Sequence, residues 1–137
     1  MTNPKVNPRV DEIDEAGCRA LLTTQHIGRV AYISDGEPMI VPVDYEVFQD
    51  MIVFRSDPGH KLSHIPLTRV CFEVDGSHDP DVVWSVIVHG AARDVTTALN
   101  EQYEQMRQSR VPTFATLADP HWLTVEIDAI TGRRLTR

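Results

Sequence analysis

Residues 28–56 read GRVAYISDGEPMIVPVDYEVFQDMIVFRS. The reading of this stretch decides the fold. Apolar residues recur at every second position, the period of a strand with one buried face. A strand is predicted over 29–34. Asp35-Gly36 follows, a pair that tolerates the positive φ of a tight hairpin turn. The returning strand covers 37–48. Met39, Val41, Val43, Tyr45 and Val47 share one face, and Ile40, Pro42, Asp44, Glu46 and Phe48 the other. Pro42 has no N–H for a ladder, so the strand is expected to be interrupted there or to lie at an edge. Gln49-Asp50 makes the next turn, and 51–56 is a third strand.

Outward from this meander, the period changes. Residues 1–10 contain Pro4 and Pro8 and are expected to form an extended arm, with 11–137 as a single domain. A helix is expected to start at Asp14, a good N-cap, with Ile13 and Cys18 packed across the cap. Cys18, Leu21 and Leu22 form its apolar stripe. Asp57-Pro58-Gly59 breaks the sheet, and 60–65 is a short helical turn. A fourth strand covers 69–75, and 76–80 is a polar loop. A long fifth strand covers 82–95, with Gly90 as a bulge or bend. A helix is predicted over 97–110, with Leu99, Tyr103 and Met106 facing inward. After Pro112, a sixth strand covers 122–130. The expected fold is mainly β, six strands and flanking helices, closing as a small antiparallel barrel.

Composition narrows the function classes. The 137 residues carry 20 acidic and 13 basic side chains, a net charge of −7. All the acids lie between Asp11 and Asp128, and residues 11–132 hold only eight bases, a net −12. That acidity argues against nucleic acid and against an anionic membrane surface as partners. No apolar run reaches the roughly 18–20 residues of a membrane span, and residues 1–10 lack a signal-peptide pattern. Two cysteines, Cys18 and Cys71, make no disulfide framework, so a reducing cytoplasm is the expected compartment. Both are expected to be buried, inert thiols.

Against this acidic background one short segment stands out, FRSDPGHKL (54–62). Arg55 ends a strand and offers a planar fork of donors. Ser56 adds a hydroxyl, the next turn starts a helix, and Lys61 sits on that helix. A strand-end arginine, a hydroxyl, a helix start and a lysine within seven residues make a candidate phosphate site. The alternative is that Arg55 and Lys61 are solvated or pair with nearby acids such as Asp57. His60 and His64 have a spacing that can hold a metal, but no third ligand is evident. Asp75, Asp79 and Asp81 miss the spacing of a calcium loop. No Ser-His-Asp arrangement can be read from the spacing.

The stretches 28–47, VFRSDPGHKL (53–62), VCFEVDG (70–76), WSVIVHGAA (84–92) and ITGRR (130–134) together resemble the pyridoxamine 5′-phosphate oxidase-like, FMN-binding split β-barrel family. The resemblance implies a homodimer with flavin sites at the subunit interface and a small-molecule substrate. It implies that Arg55, Ser56 and Lys61, flanked by His60 and Leu62, hold the FMN phosphate. Val41, Pro42, Val43 and Asp44 would line the flavin ring through backbone groups. Trp84, Ser85 and Arg133 or Arg134 would approach from the same or the partner chain. His60 stands where the family has a small hydroxyl residue, and Asp57 places an acid in the phosphate loop. The chain ends before the C-terminal substrate segment of true pyridoxamine phosphate oxidases, so that activity is not expected. The implied function is a flavin-dependent oxidoreductase whose chemistry lies on the cofactor rather than on a side chain. The deazaflavin F420 is the alternative cofactor, and a non-catalytic flavin- or haem-binding protein the alternative of another class.

Overall fold

The computed structural model describes residues 8–56, 68–108 and 121–137. The elements run β1 (Arg9–Ile13), α1 (Glu15–Leu22), β2 (Ile27–Ser34), β3 (Glu37–Phe48), β4 (Met51–Ser56), β5 (Thr68–Asp79), β6 (Val82–Asp94), α2 (Glu101–Gln108), β7 (His121–Glu126) and β8 (Ala129–Thr136). Six strands close a ring in the order β6-β5-β2-β3-β4-β7, with β7 returning to β6, and every pair is antiparallel. This is the expected six-stranded split barrel. β8 and β1 extend the sheet beyond β6.

The split lies in β6. One of its edges pairs with β5 from Val82 to Ala92. The other pairs with β8 from Val82 to His89 and with β7 from Ala92 to Asp94. Between them the chain linking β7 to β8 crosses over Gly90. A Cβ on Gly90 would sit 1.6 Å from the carbonyl oxygen of Glu126, so only glycine fits. Gly90 therefore marks a close approach and not a bulge, because its register with Val70 is regular. The irregularity in this hairpin falls at Ser77/Asp79, inside a β5 that runs through the region expected to be a loop. The same crossing divides the expected sixth strand in two. Ile127 N–H donates to Asp50 and Asp128 N–H to His89, and the chain changes partner there.

Both hairpin turns were legible. Asp35 and Gly36 have φ of 52° and 78°, and Gln49 has 53°. Alternation then fills the barrel. Val30, Tyr32, Val43, Tyr45, Ile52, Phe54, Phe72, Val74, Trp84, Val86 and Val88 form one core. Tyr45 meets Phe72 edge to face at 4.8 Å. Helix α1 packs into this core. Asp14 caps it by accepting Gly17 N–H at 2.7 Å, Cys18 and Leu22 are fully buried, and the Tyr45 hydroxyl donates to the Leu22 carbonyl.

A second, smaller core lies outside the barrel. Met51 and Val53 on β4 join Val95 and Met106, with Phe48, Tyr103 and Trp122 packed around them. That is why Met51–Phe54 are all buried: one face meets the barrel interior and the other meets α2. The helix is shorter than expected. Asn100 accepts Gln102 N–H at 2.7 Å as its cap, and Leu99, before that cap, is 90% exposed and not inward. Arg107 holds the approach to α2 by donating to the carbonyls of Val95 and Ala98.

Candidate anion and cofactor site

The end of β4 presents a cation with no acidic partner among the described residues. Arg55 is the first residue of β4 that is not buried, and its cross-strand partner is Trp122 on β7. The guanidinium carbon lies 4.8 Å from the Trp122 ring centroid. Trp122 is itself held: its N–H donates to Thr96 Oγ1 at 2.9 Å, and its ring packs on the α2 cluster. The stack fixes the plane of the guanidinium. Arg55 Nε is buried with no hydrogen-bond partner among the described residues. No described carboxylate pairs with Arg55, nor with Arg107, Arg133, Arg134 or Arg137, whereas Arg9, Arg19, Arg29, Arg69 and Arg93 each pair with at least one. A buried N–H left unmade costs about 1–3 kcal/mol, which an anionic ligand would offset. Ser56, next along, is buried, and His121 is its cross-strand partner. His60, Lys61 and Leu62 lie outside the described residues, as do the expected helical turn and His64.

Next to this strand end runs an open edge. The β3–β4 ladder stops at Tyr45 and Phe54, so among the described residues 37–44 of β3 pair only with β2. Pro42 lies within this stretch. The strand is not interrupted there: Pro42 keeps register with Arg29. Val43 points into the core, with Val41 packed against it. Pro42 and Asp44 face out. An unpaired backbone edge one residue from Arg55 can offer amide and carbonyl groups to a flat polar ring.

The outward face of β8, β6, β5, β2 and β3 carries the other candidates. Ser85 and Arg133 are direct partners across β6 and β8. Arg29 bridges Glu73 at 2.8 Å and Asp75 at 3.0 Å on the same face. Burial pushes the Glu73 carboxyl above its usual range, Asp75 adds to this, and Arg29 opposes it. Cys71 Sγ lies 3.3 Å from His89 Nδ1, so this thiol is partnered and only half-buried, unlike the expectation. Cys18 is buried as expected, and burial, then Asp14 and Glu15, push its thiol up. Among the described residues no group of acids, histidines and cysteines is arranged to hold a metal.

Residues 14–134 match the profile of the family described as pyridoxamine 5′-phosphate oxidase. The chain belongs to the pyridoxamine 5′-phosphate oxidase family. It is 30% identical to an FAD-binding protein from Mycobacterium smegmatis, with 92% of this chain and 98% of that one covered and a TM-score of 0.76. It is 26% identical to a candidate pyridoxamine 5′-phosphate oxidase from Corynebacterium glutamicum, with 99% and 96% covered and a TM-score of 0.80. An FAD-binding protein from Mesorhizobium loti shares the fold at 21% identity, with 96% and 100% covered and a TM-score of 0.77. No curated protein matches the chain.

As a member of the pyridoxamine 5′-phosphate oxidase family, the chain departs from its expected site at Trp84. The indole points into the barrel and is 2% exposed, so its side chain serves the core and not a ligand wall. Strand parity decides this, because Trp84 stands two residues from Val86 and four from Val88, both fully buried. The sequence reading also missed two residues on β7. Trp122 meets Arg55, and His121 stands opposite Ser56 on the other, barrel-facing side of the sheet, through pairing between distant strands, for which no local spacing gives a signal. His121 Nδ1 is hydrogen-bonded to Asp94 Oδ2. No helix among the described residues is long and apolar enough to cross a membrane.

Proposed function

We propose that this chain binds a flavin, FMN in the first reading, and works as a flavin-dependent oxidoreductase on a small-molecule substrate. The observation that carries the proposal is the orphaned, buried Nε of Arg55, held against Trp122 beside the open edge of β3. Support comes also from membership of the family and from the 30% identity with an FAD-binding protein, which makes FAD the second reading. Arg55 and Ser56, with Lys61, would hold the phosphate. The backbone of 41–44 would orient the ring, with Pro42 and Asp44 on its side of the sheet. A bound flavin would supply hydride transfer; the chain supplies binding, orientation and polarity. The acidic body raises the weight of each well-placed cation in holding an anionic cofactor.

The working unit in this proposal is a homodimer. The outward face of the β8-β6-β5-β2-β3 sheet exposes Ile40 (64%), Ile33 (60%), Val83 and Ile87, with no described helix over it. A second copy packed there would cover this apolar surface and bring its own Ser85 and Arg133 toward a site on the first.

The test is cofactor retention. The purified chain is expected to carry flavin or to bind added FMN, and chromatography of the released cofactor separates FMN from FAD. Retention of F420 or haem in place of flavin, or failure to bind any of them, overturns the proposal.

A further inference from the structure

β2 and β5 separate near one end of the sheet. Their ladder runs only from Arg29–Glu73 to Ala31–Cys71. Past that point β2 continues into its hairpin with β3, while β5 stays with β6. The gap opens a groove of about 260 Å³, room for a small molecule. Ile33, Pro38 and Met39 give it apolar walls, and Arg69, with Nη1 held by Asp128 at 3.0 Å, lines it as well. Cys71 and His89 complete the lining. They are direct cross-strand partners, so both side chains stand on one face of the sheet. That face is the outward one, because Val70 and Phe72 flank Cys71, Val88 precedes His89, and all three are buried in the barrel. Cys71 Sγ lies 3.3 Å from His89 Nδ1. Cys71 is half-buried and His89 exposed. A neutral imidazole, the ordinary form near neutral pH, accepts the thiol proton at Nδ1 when its own proton sits on Nε2. A nucleophile and a base within hydrogen-bond reach, at the wall of a groove, is the arrangement that activates a thiol. Cys18 is the internal contrast: it is fully buried, and its Sγ lies against the Ile13 carbonyl with no base beside it.

We propose that Cys71, with His89 as its base, is a nucleophilic thiol that takes small activated alkenes, in which the double bond is conjugated to a carbonyl. The thiol proton passes to His89 Nδ1, and sulfur forms a bond to the β-carbon of the alkene. The alkene π pair moves to the α-carbon, which takes the proton back from His89. The step is an addition, so nothing leaves and no oxidant is consumed. Ile33, Pro38 and Met39 receive the carbon skeleton, and Arg69 offers donors for the carbonyl. The inference stands apart from the flavin reading. It requires the groove to stay open to a small reagent when a second copy covers the neighbouring Ile33 and Ile40.

The probe is acrylamide, added in excess to the full chain as purified. Adducts are located by mass spectrometry, and the rate is compared with that of N-acetylcysteine at the same pH. Cys71 is expected to react about tenfold faster than the free thiol, and Cys18 to stay unlabelled while the chain is folded. His89→Gln is expected to slow Cys71 by about tenfold, back to the free-thiol rate. Cys71→Ser is expected to abolish the adduct. Thermal unfolding of each variant is measured alongside, and His89→Asn carries the same comparison if His89→Gln shifts the midpoint. An unchanged rate in a folded His89 variant makes the histidine a packing residue and overturns the proposal. A wild-type Cys71 that reacts no faster than N-acetylcysteine, or a label that reaches Cys18 first, overturns it too.

Discussion

At the scale of single residues, Arg55 is the side chain whose environment makes least sense without a ligand. No described carboxylate pairs with it, and its Nε is buried without a hydrogen-bond partner among the described residues. Arg55→Ala is therefore expected to separate binding from stability. Unfolding in urea should change by less than about 1 kcal/mol, the size of an exposed cation–π contact. FMN affinity, followed by fluorescence, should fall by about tenfold or more. A large loss of stability with unchanged affinity would make Arg55 a structural residue. Gly90 is the converse case, all structure and no ligand. Gly90→Ala drives a methyl group into the Glu126 carbonyl and is expected to cost roughly 3 kcal/mol or more in chemical denaturation. Asp94 gives the pH dependence. Its folded-state pKa is lowered, so the unfolded chain binds the extra proton as pH falls, and folding loses stability in that window. The stability advantage of wild type over Asp94→Asn should be full above about pH 5 and shrink as the pH drops through the carboxylate range. Urea midpoints across that range check it.

Among the elements, legibility followed the range of the interaction that fixes each one. The β2–β3–β4 meander could be read from alternation and two local turns, and Asp14 as the cap of α1 from residue type alone. The start of α2 could not. Thr97, Ala98 and Leu99 have acceptable helix propensity, but Arg107 and Asp94 capture the backbone and hydroxyl of 94–98 first. The expected single strand over 122–130 has unbroken alternation, and what breaks it is contact with Gly90, distant in the chain. The same limit applies to the site. Arg55 and Ser56 could be singled out because a strand-end grouping is local, whereas the stack of Trp122 on Arg55 comes from a strand pairing with no sequence spacing. Trp84 was placed in the right strand, and its parity sends it into the core. At this scale the α2 cluster offers a direct check. Met106 is fully buried in it, and Met106→Ala is expected to cost about 2–5 kcal/mol. Because Trp122 packs on that cluster, the variant should also loosen the hold on FMN, read by titration. Unchanged FMN affinity in a destabilised variant would show that α2 does not support the site.

For the whole molecule, the open face of the sheet sets the expected assembly. Exposed Ile33 and Ile40 on a face that no described helix covers fit a buried interface better than solvent. Light scattering is expected to give the mass of two chains, and Ile40→Asp to shift it toward one. A wild type that is monomeric at all concentrations would remove the dimer from the account. The net charge of −7 sharpens the same picture, since an acidic body leaves few places for an anionic cofactor. The most direct measurement is therefore a titration of the purified wild-type chain and Arg55→Ala with FMN, read by flavin fluorescence and the visible spectrum. Saturable binding by the wild type, weakened about tenfold in the variant, is the predicted result. Equal binding by both proteins, or none by the wild type, would contradict the claim that the end of β4 holds a flavin phosphate.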